Sequence, residues 1–124
     1  MKTILILCSL TLVAGAALTW RAVRLPNLYG TFTETPAAEV ADLIERPKDF
    51  VGRTVTVRGT VRQQCETMGC FFFFESGKRL LRVELAAIAM NAPKKRNGHP
   101  VRVEGQITPH GEGYQLYASA VEFQ

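Results

Sequence analysis

Histidine is scarce in this sequence: only His99 and His110 occur among 124 residues, with three cysteines and one tryptophan. A closed zinc site needs four nitrogen, sulfur or carboxylate ligands. Any metal centre here would therefore draw on most of the chain's soft ligands, and no metal or other cofactor is expected. Also missing are a glycine-rich phosphate loop, a nucleophile–base–acid constellation and carboxylates paired by a motif. Nothing supports an enzyme, and acids such as Glu66 and Glu104 read as surface charges. Charge of one sign is not concentrated either. Fifteen basic and 11 acidic residues give a net charge of +4, a mild excess that a solvated surface accounts for. Hydrophobic residues make up 47% and charged residues 21%, which excludes a wholly disordered chain.

One long hydrophobic run is present. Ile4 to Trp20 carries no charge, follows Lys2 and precedes Arg21 and Arg24. As a helix it would extend about 25 Å, the short limit for a bilayer span. Trp20 and Arg21 suit the membrane–water interface. The same run also reads as a signal peptide, with small residues at Ala14, Gly15, Ala16 and Ala17 as a cleavage site. Cys8 stands too early in the run for lipid attachment. Both readings export the chain, as does the pair of cysteines remaining in the folded part. The expected division is 1–22 signal anchor or signal peptide, 23–36 tether with two prolines, and 37–124 one folded domain. The anchored form would hold that domain on the outer face of a bacterial cytoplasmic membrane. Cleavage would release it to the periplasm.

Beyond the tether, Thr35 and Pro36 read as the cap and first position of a short helix. Its Val40, Leu43 and Ile44 share one face, and Pro47 ends it. The pattern then switches to period two. In Thr54–Arg62, Val55, Val57 and Val61 alternate with Thr54, Thr56, Arg58 and Thr60, and Gly59 takes an inward position. Leu81, Val83 and Leu85 face in, with Arg82 and Glu84 out. Gly77 and Lys78 make the turn before that strand. Ala86–Asn91 reads as one or two helical turns. Val101–Ile107 repeats the grammar of Val55–Val61, and the turn Thr108–Gly113 leads to a last strand.

Three strands, a short helix and two more strands is the order of the OB-fold, a five-stranded Greek-key barrel. The expected class is thus all-β with short helices. In such a barrel the first and fourth strands are neighbours, so Gly59 and Gly105 would mark one sharp corner. The strand V-G-R-T-V-T-V-R-G-T-V, followed by C-E-T-M-G-C-F-F-F-F and then by R-V-E-L and V-R-V-E-G, resembles a group of small exported bacterial OB-fold proteins. These carry a Cys-x3-Gly-Cys-aromatic signature after the first strand. The resemblance spans roughly Val40 to Phe123 and implies a fold and a compartment, with no reaction attached.

Cys65 and Cys70 flank the turn between the first two strands. A bend there would bring them within reach of a disulfide, the expected pairing. Helix-start Cys-x-x-Cys, the usual redox arrangement, is absent, although a thiol redox protein stays open as a less favoured reading. A metal or haem carrier would need Cys65, Cys70, His99 and His110 to meet. His110 and Tyr114 resemble the His-x3-Tyr motif of the periplasmic haem chaperone, but here they lie in a hairpin before the last strand. Of the four phenylalanines 71–74, alternate residues share a face. One pair enters the core, and the other lies under the helix or forms a platform on strands two and three, where OB domains bind partners. Phe72 and Phe74, with Arg58 and Arg82, are the candidate partner face. Export argues against nucleic acid. The function expected is an accessory or assembly module, membrane-held through residues 4–20 and contacting a membrane protein. A periplasmic carrier is the alternative.

Overall fold

The computed structural model of the chain describes residues 27–65, 70–89 and 92–124. The expected signal or anchor segment lies outside these residues. Among the described residues no helix is long and apolar enough to cross a membrane.

The architecture is mostly β, with an OB-like strand order. β1 (Leu28–Gly30) and β2 (Ala37–Ala38) precede a helix α1 (Val40–Glu45) and a 3-10 turn at Pro47–Phe50. β3 (Thr54–Thr60), β4 (Phe71–Ser76), β5 (Arg79–Glu84), β6 (Pro100–His110) and β7 (Gly113–Phe123) follow. They form one mixed sheet in the order β2-β3-β6-β7-β5-β4, with β1 paired to β7. The neighbours expected of the first and fourth long strands are found: β3 runs antiparallel to β6.

Alternation sets which side of each strand is dry. Val55, Val57, Val61, Leu81, Val83 and Leu85 are all buried, as their period-two spacing predicts. Leu43 and Ile44 of α1 are buried too, and the helix packs on β3, β4 and β5. A six-residue helix cannot persist alone. Burying Leu43 and Ile44, at about 1.5–3 kcal/mol each, holds it in place.

Several local expectations fail for identifiable reasons. Thr35 and Pro36 do not start the helix, because their backbone completes an edge of β3. Pro36 O accepts from Thr56 N, and Ala37 and Ala38 pair in parallel with Thr56 and Val57. Glu39 becomes the residue before the helix. Within the expected tether, Leu28–Gly30 joins the sheet as β1, paired with Ala120–Glu122. Ala86–Asn91 is not among these failures: its described part makes one turn, as expected, in which Ile88 N and Ala89 N both reach Leu85 O. Gly59 and Gly105 do not share a corner. Gly59 pairs with Val101 and Gly105 with Val55, and a bulge falls between Glu104 and Gly105.

Candidate interaction face and thiol pair

The four phenylalanines divide by parity, in the opposite sense to the expected partner face. Phe72 and Phe74 are fully buried and meet edge-on at 5.4 Å. They belong to the core, because β4 lies across β5 with Phe72 opposite Val83 and Phe74 opposite Leu81. Phe71 and Phe73 face outward and are half-buried, with ring centroids 6.0 Å apart and planes at 85°.

Across the strand pair, Phe71 stands opposite Glu84 and Phe73 opposite Arg82. The Arg82 guanidinium lies 4.0 Å from the Phe71 ring centre, a cation–π contact made on the diagonal. Its Nη2 also donates to Glu84 Oε2 at 2.8 Å. Tyr117 of β7, in register with Glu84, extends the row and is 42% exposed. Phe71, Phe73, Arg82 and Tyr117 thus form one aromatic outer face on β4, β5 and β7. Arg58 is not part of it. It stands on β3 opposite Arg102, four residues before the Arg62 that bridges to Phe73.

The stretch after β3 explains how the cysteines meet. Arg62 and Phe73 exchange two backbone hydrogen bonds, and Cys65 N donates to Phe71 O at 3.0 Å. Residues 62–65 therefore run back along 71–73, which brings the two cysteines together. Both are thiols in the structure, joined by a side-chain hydrogen bond rather than by the expected disulfide. Burial pushes the Cys70 thiol above its ordinary value of 9.0, and Cys65 and the Glu84 carboxylate push it further in the same direction.

The histidines do not join them. His99 precedes β6 and His110 ends it, so an 11-residue strand of roughly 33 Å separates the two. Among the described residues no three His, Cys, Asp or Glu stand close enough to hold a metal ion. The four-ligand set is not assembled, because β6 is one extended strand.

Three features escaped the sequence reading. Glu104 is not a surface charge but 1% exposed. Its Oε1 accepts from Thr33 N, Thr33 Oγ1 and Thr35 Oγ1, each at 3.0 Å, so it pins the former tether across the sheet. Phe32 on that strap lies under the Arg102 guanidinium at 3.8 Å. Gln64 is buried and latches the loop before β6. Its Nε2 donates to Pro93 O at 2.7 Å, and its Oε1 accepts from Arg96 N at 2.8 Å. Its backbone N donates to Asn97 Oδ1 at 2.9 Å. A glutamine in a polar run gives no sequence signal for this. A lone glutamate in a strand whose neighbours alternate gives only a weak one.

No protein-family model matches the chain, and no curated protein matches it significantly. Among solved structures, the hypothetical protein YgiW of E. coli is similar at 15% identity with a TM-score of 0.48, covering 77% of this chain and 99% of its own. A protein assigned as an aspartyl-tRNA synthetase of Leishmania major Friedlin is similar at 17% identity with a TM-score of 0.49. That match covers 89% of this chain, which spans about a quarter (26%) of the synthetase. Likenesses at this level carry no argument about function.

Proposed function

We propose that this chain is an exported, membrane-anchored OB-fold accessory module that contacts a membrane protein partner and performs no catalysis. The barrel reading is supported by the pairing series β3-β6-β7-β5-β4, which the Arg62–Phe73 bridge returns to β3. The Cys-x3-Gly-Cys-aromatic likeness belongs with it, as does export through the apolar segment at residues 4–20. That segment would confine the domain to the membrane surface, where high local concentration lets a modest interface suffice.

The observation that carries the reading is the outer face of Phe71, Phe73, Arg82 and Tyr117. Aromatic and arginine side chains that remain partly open to solvent are the residue types enriched where proteins bind one another. Charge on this side is internally balanced. Arg82 is held by Glu84 and Arg62 approaches Glu75 at 3.9 Å. A face whose cations are already paired suits a protein surface better than a polyanion, which needs free cations to replace its counterions.

The test is co-purification from the chain's own membranes under mild detergent. The double variant Phe73→Ser/Arg82→Glu is expected to fold and to lose a partner that the wild type retains. Retention of every partner by the folded variant would remove this face from the reading. In the alternative, a periplasmic carrier, Cys65 and Cys70 are the two ligands that stand together. The double Cys→Ser variant would then lose bound metal or haem while keeping its partner.

A further inference from the structure

The loop Lys94-Lys95-Arg96 places three cations in consecutive positions. The ion pairs among the described residues use Arg46, Arg62, Arg82 and Arg102, and none of the three loop cations. Lys94 and Lys95 are exposed. Yet the loop is not loose. Gln64 grips it through Pro93 O, Arg96 N and Asn97 Oδ1, and Lys95 is held at φ 61. A non-glycine residue persists in that region only where its surroundings impose it.

The loop also sits where the chain enters the fold. Arg96 Nη2 donates to Asn27 Oδ1 at 3.4 Å, and Asn27 O accepts from Phe123 N at 2.9 Å. Asn27 is seven residues after Trp20, the end of the apolar run. Seven residues reach at most about 25 Å, and Arg21 and Arg24 in that interval are cationic too.

We propose that Lys94, Lys95 and Arg96 dock on anionic phospholipid headgroups of the membrane that residues 4–20 enter, fixing the domain's orientation. This rests on the anchored reading given above. The Pro100 end of β6, with Cys65 beside Lys94 and Lys95 in one groove of about 320 Å³, then faces the bilayer. The His110 hairpin lies roughly 33 Å away along the strand. Because Gln64 has already ordered the loop, docking requires little further loss of freedom.

The test uses the full chain reconstituted in phosphatidylcholine vesicles with and without phosphatidylglycerol. Amide hydrogen exchange is followed at residues 94–98. Two lysines near an anionic surface correspond to roughly thirtyfold in affinity. A slowing of about that size is expected with phosphatidylglycerol alone, lost at high salt and lost in Lys94→Gln/Lys95→Gln. That variant leaves Arg96 on Asn27. Equal exchange in the two lipids overturns the proposal. Slowing by inorganic phosphate in neutral vesicles would assign the loop to a free anion and overturns it as well. Alkaline washing of the neutral vesicles reads the anchor separately. Extraction there refutes the anchored reading, while slowing that depends on phosphatidylglycerol would still uphold docking by the loop.

Discussion

Gly59 faces the ring of Phe74: a Cβ at position 59 would lie 2.5 Å from Phe74 Cε1. The missing side chain on β3 is the space that a core phenylalanine of β4 fills. The relation couples the two strands that the Arg62–Phe73 bridge brings side by side.

Gly59→Ala is therefore expected to destabilise by about 1–3 kcal/mol through overpacking, since the added methyl would press on the ring of the buried Phe74. Phe74→Leu leaves a void and also destabilises. Together the two should cost less than their sum, because the alanine methyl enters the space the ring vacated. Urea unfolding of the four proteins measures this. Strict additivity would show that the contact is not energetically real.

Glu104 tests the strap. Glu104→Gln keeps an acceptor for Thr33 and Thr35 and should change stability little. Glu104→Leu leaves the Thr33 amide and two hydroxyls without their acceptor, at about 3 kcal/mol. Exchange of the Thr33 amide should accelerate in the leucine variant well before global unfolding. Unchanged exchange there would mean that the strap is held by β1 alone.

The thiols give a pH dependence. Burial, then Cys65 and Glu84, raise the Cys70 value, so alkylation of Cys70 should reach half its maximal rate above pH 9.0. The fold holds the neutral thiol while the unfolded chain ionises. Stability on this account is complete below the ordinary thiol value and falls as pH rises from there through the folded value. Cys65→Ser should lower the inflection without bringing it to 9.0, since burial is the first cause. Under oxidant the adjacent pair should close to a disulfide and gain about 2 kcal/mol. Mass spectrometry would show the loss of two hydrogens, and an intact dithiol after oxidation would contradict the contact.

Much of the fold was legible because alternation is a local signal. Val55, Val57, Leu81 and Val83 announce their own burial, and the order of strands and turns follows. Parity was not legible in the phenylalanine run, where both faces carry the same residue. Only the register of β4 against β5, with Phe72 opposite Val83, decides that Phe71 and Phe73 face out. The strap and the latch were hidden for a related reason. Thr33 with Glu104 and Gln64 with Arg96 are contacts between distant segments made by residues that usually face water. The failed corner of Gly59 and Gly105 is likewise a matter of register, which matching sequence grammar does not specify.

Photocrosslinking in the chain's own membranes tests the outer face of β4, β5 and β7 most directly. A photoreactive benzophenone side chain would be carried in turn at positions 73, 117 and 58. Positions 73 and 117 should each give the same discrete adduct with one integral membrane protein, and position 58 on β3 should not. Adducts at position 58 alone, or none at 73 and 117, would contradict the assignment of this face and with it the adaptor reading.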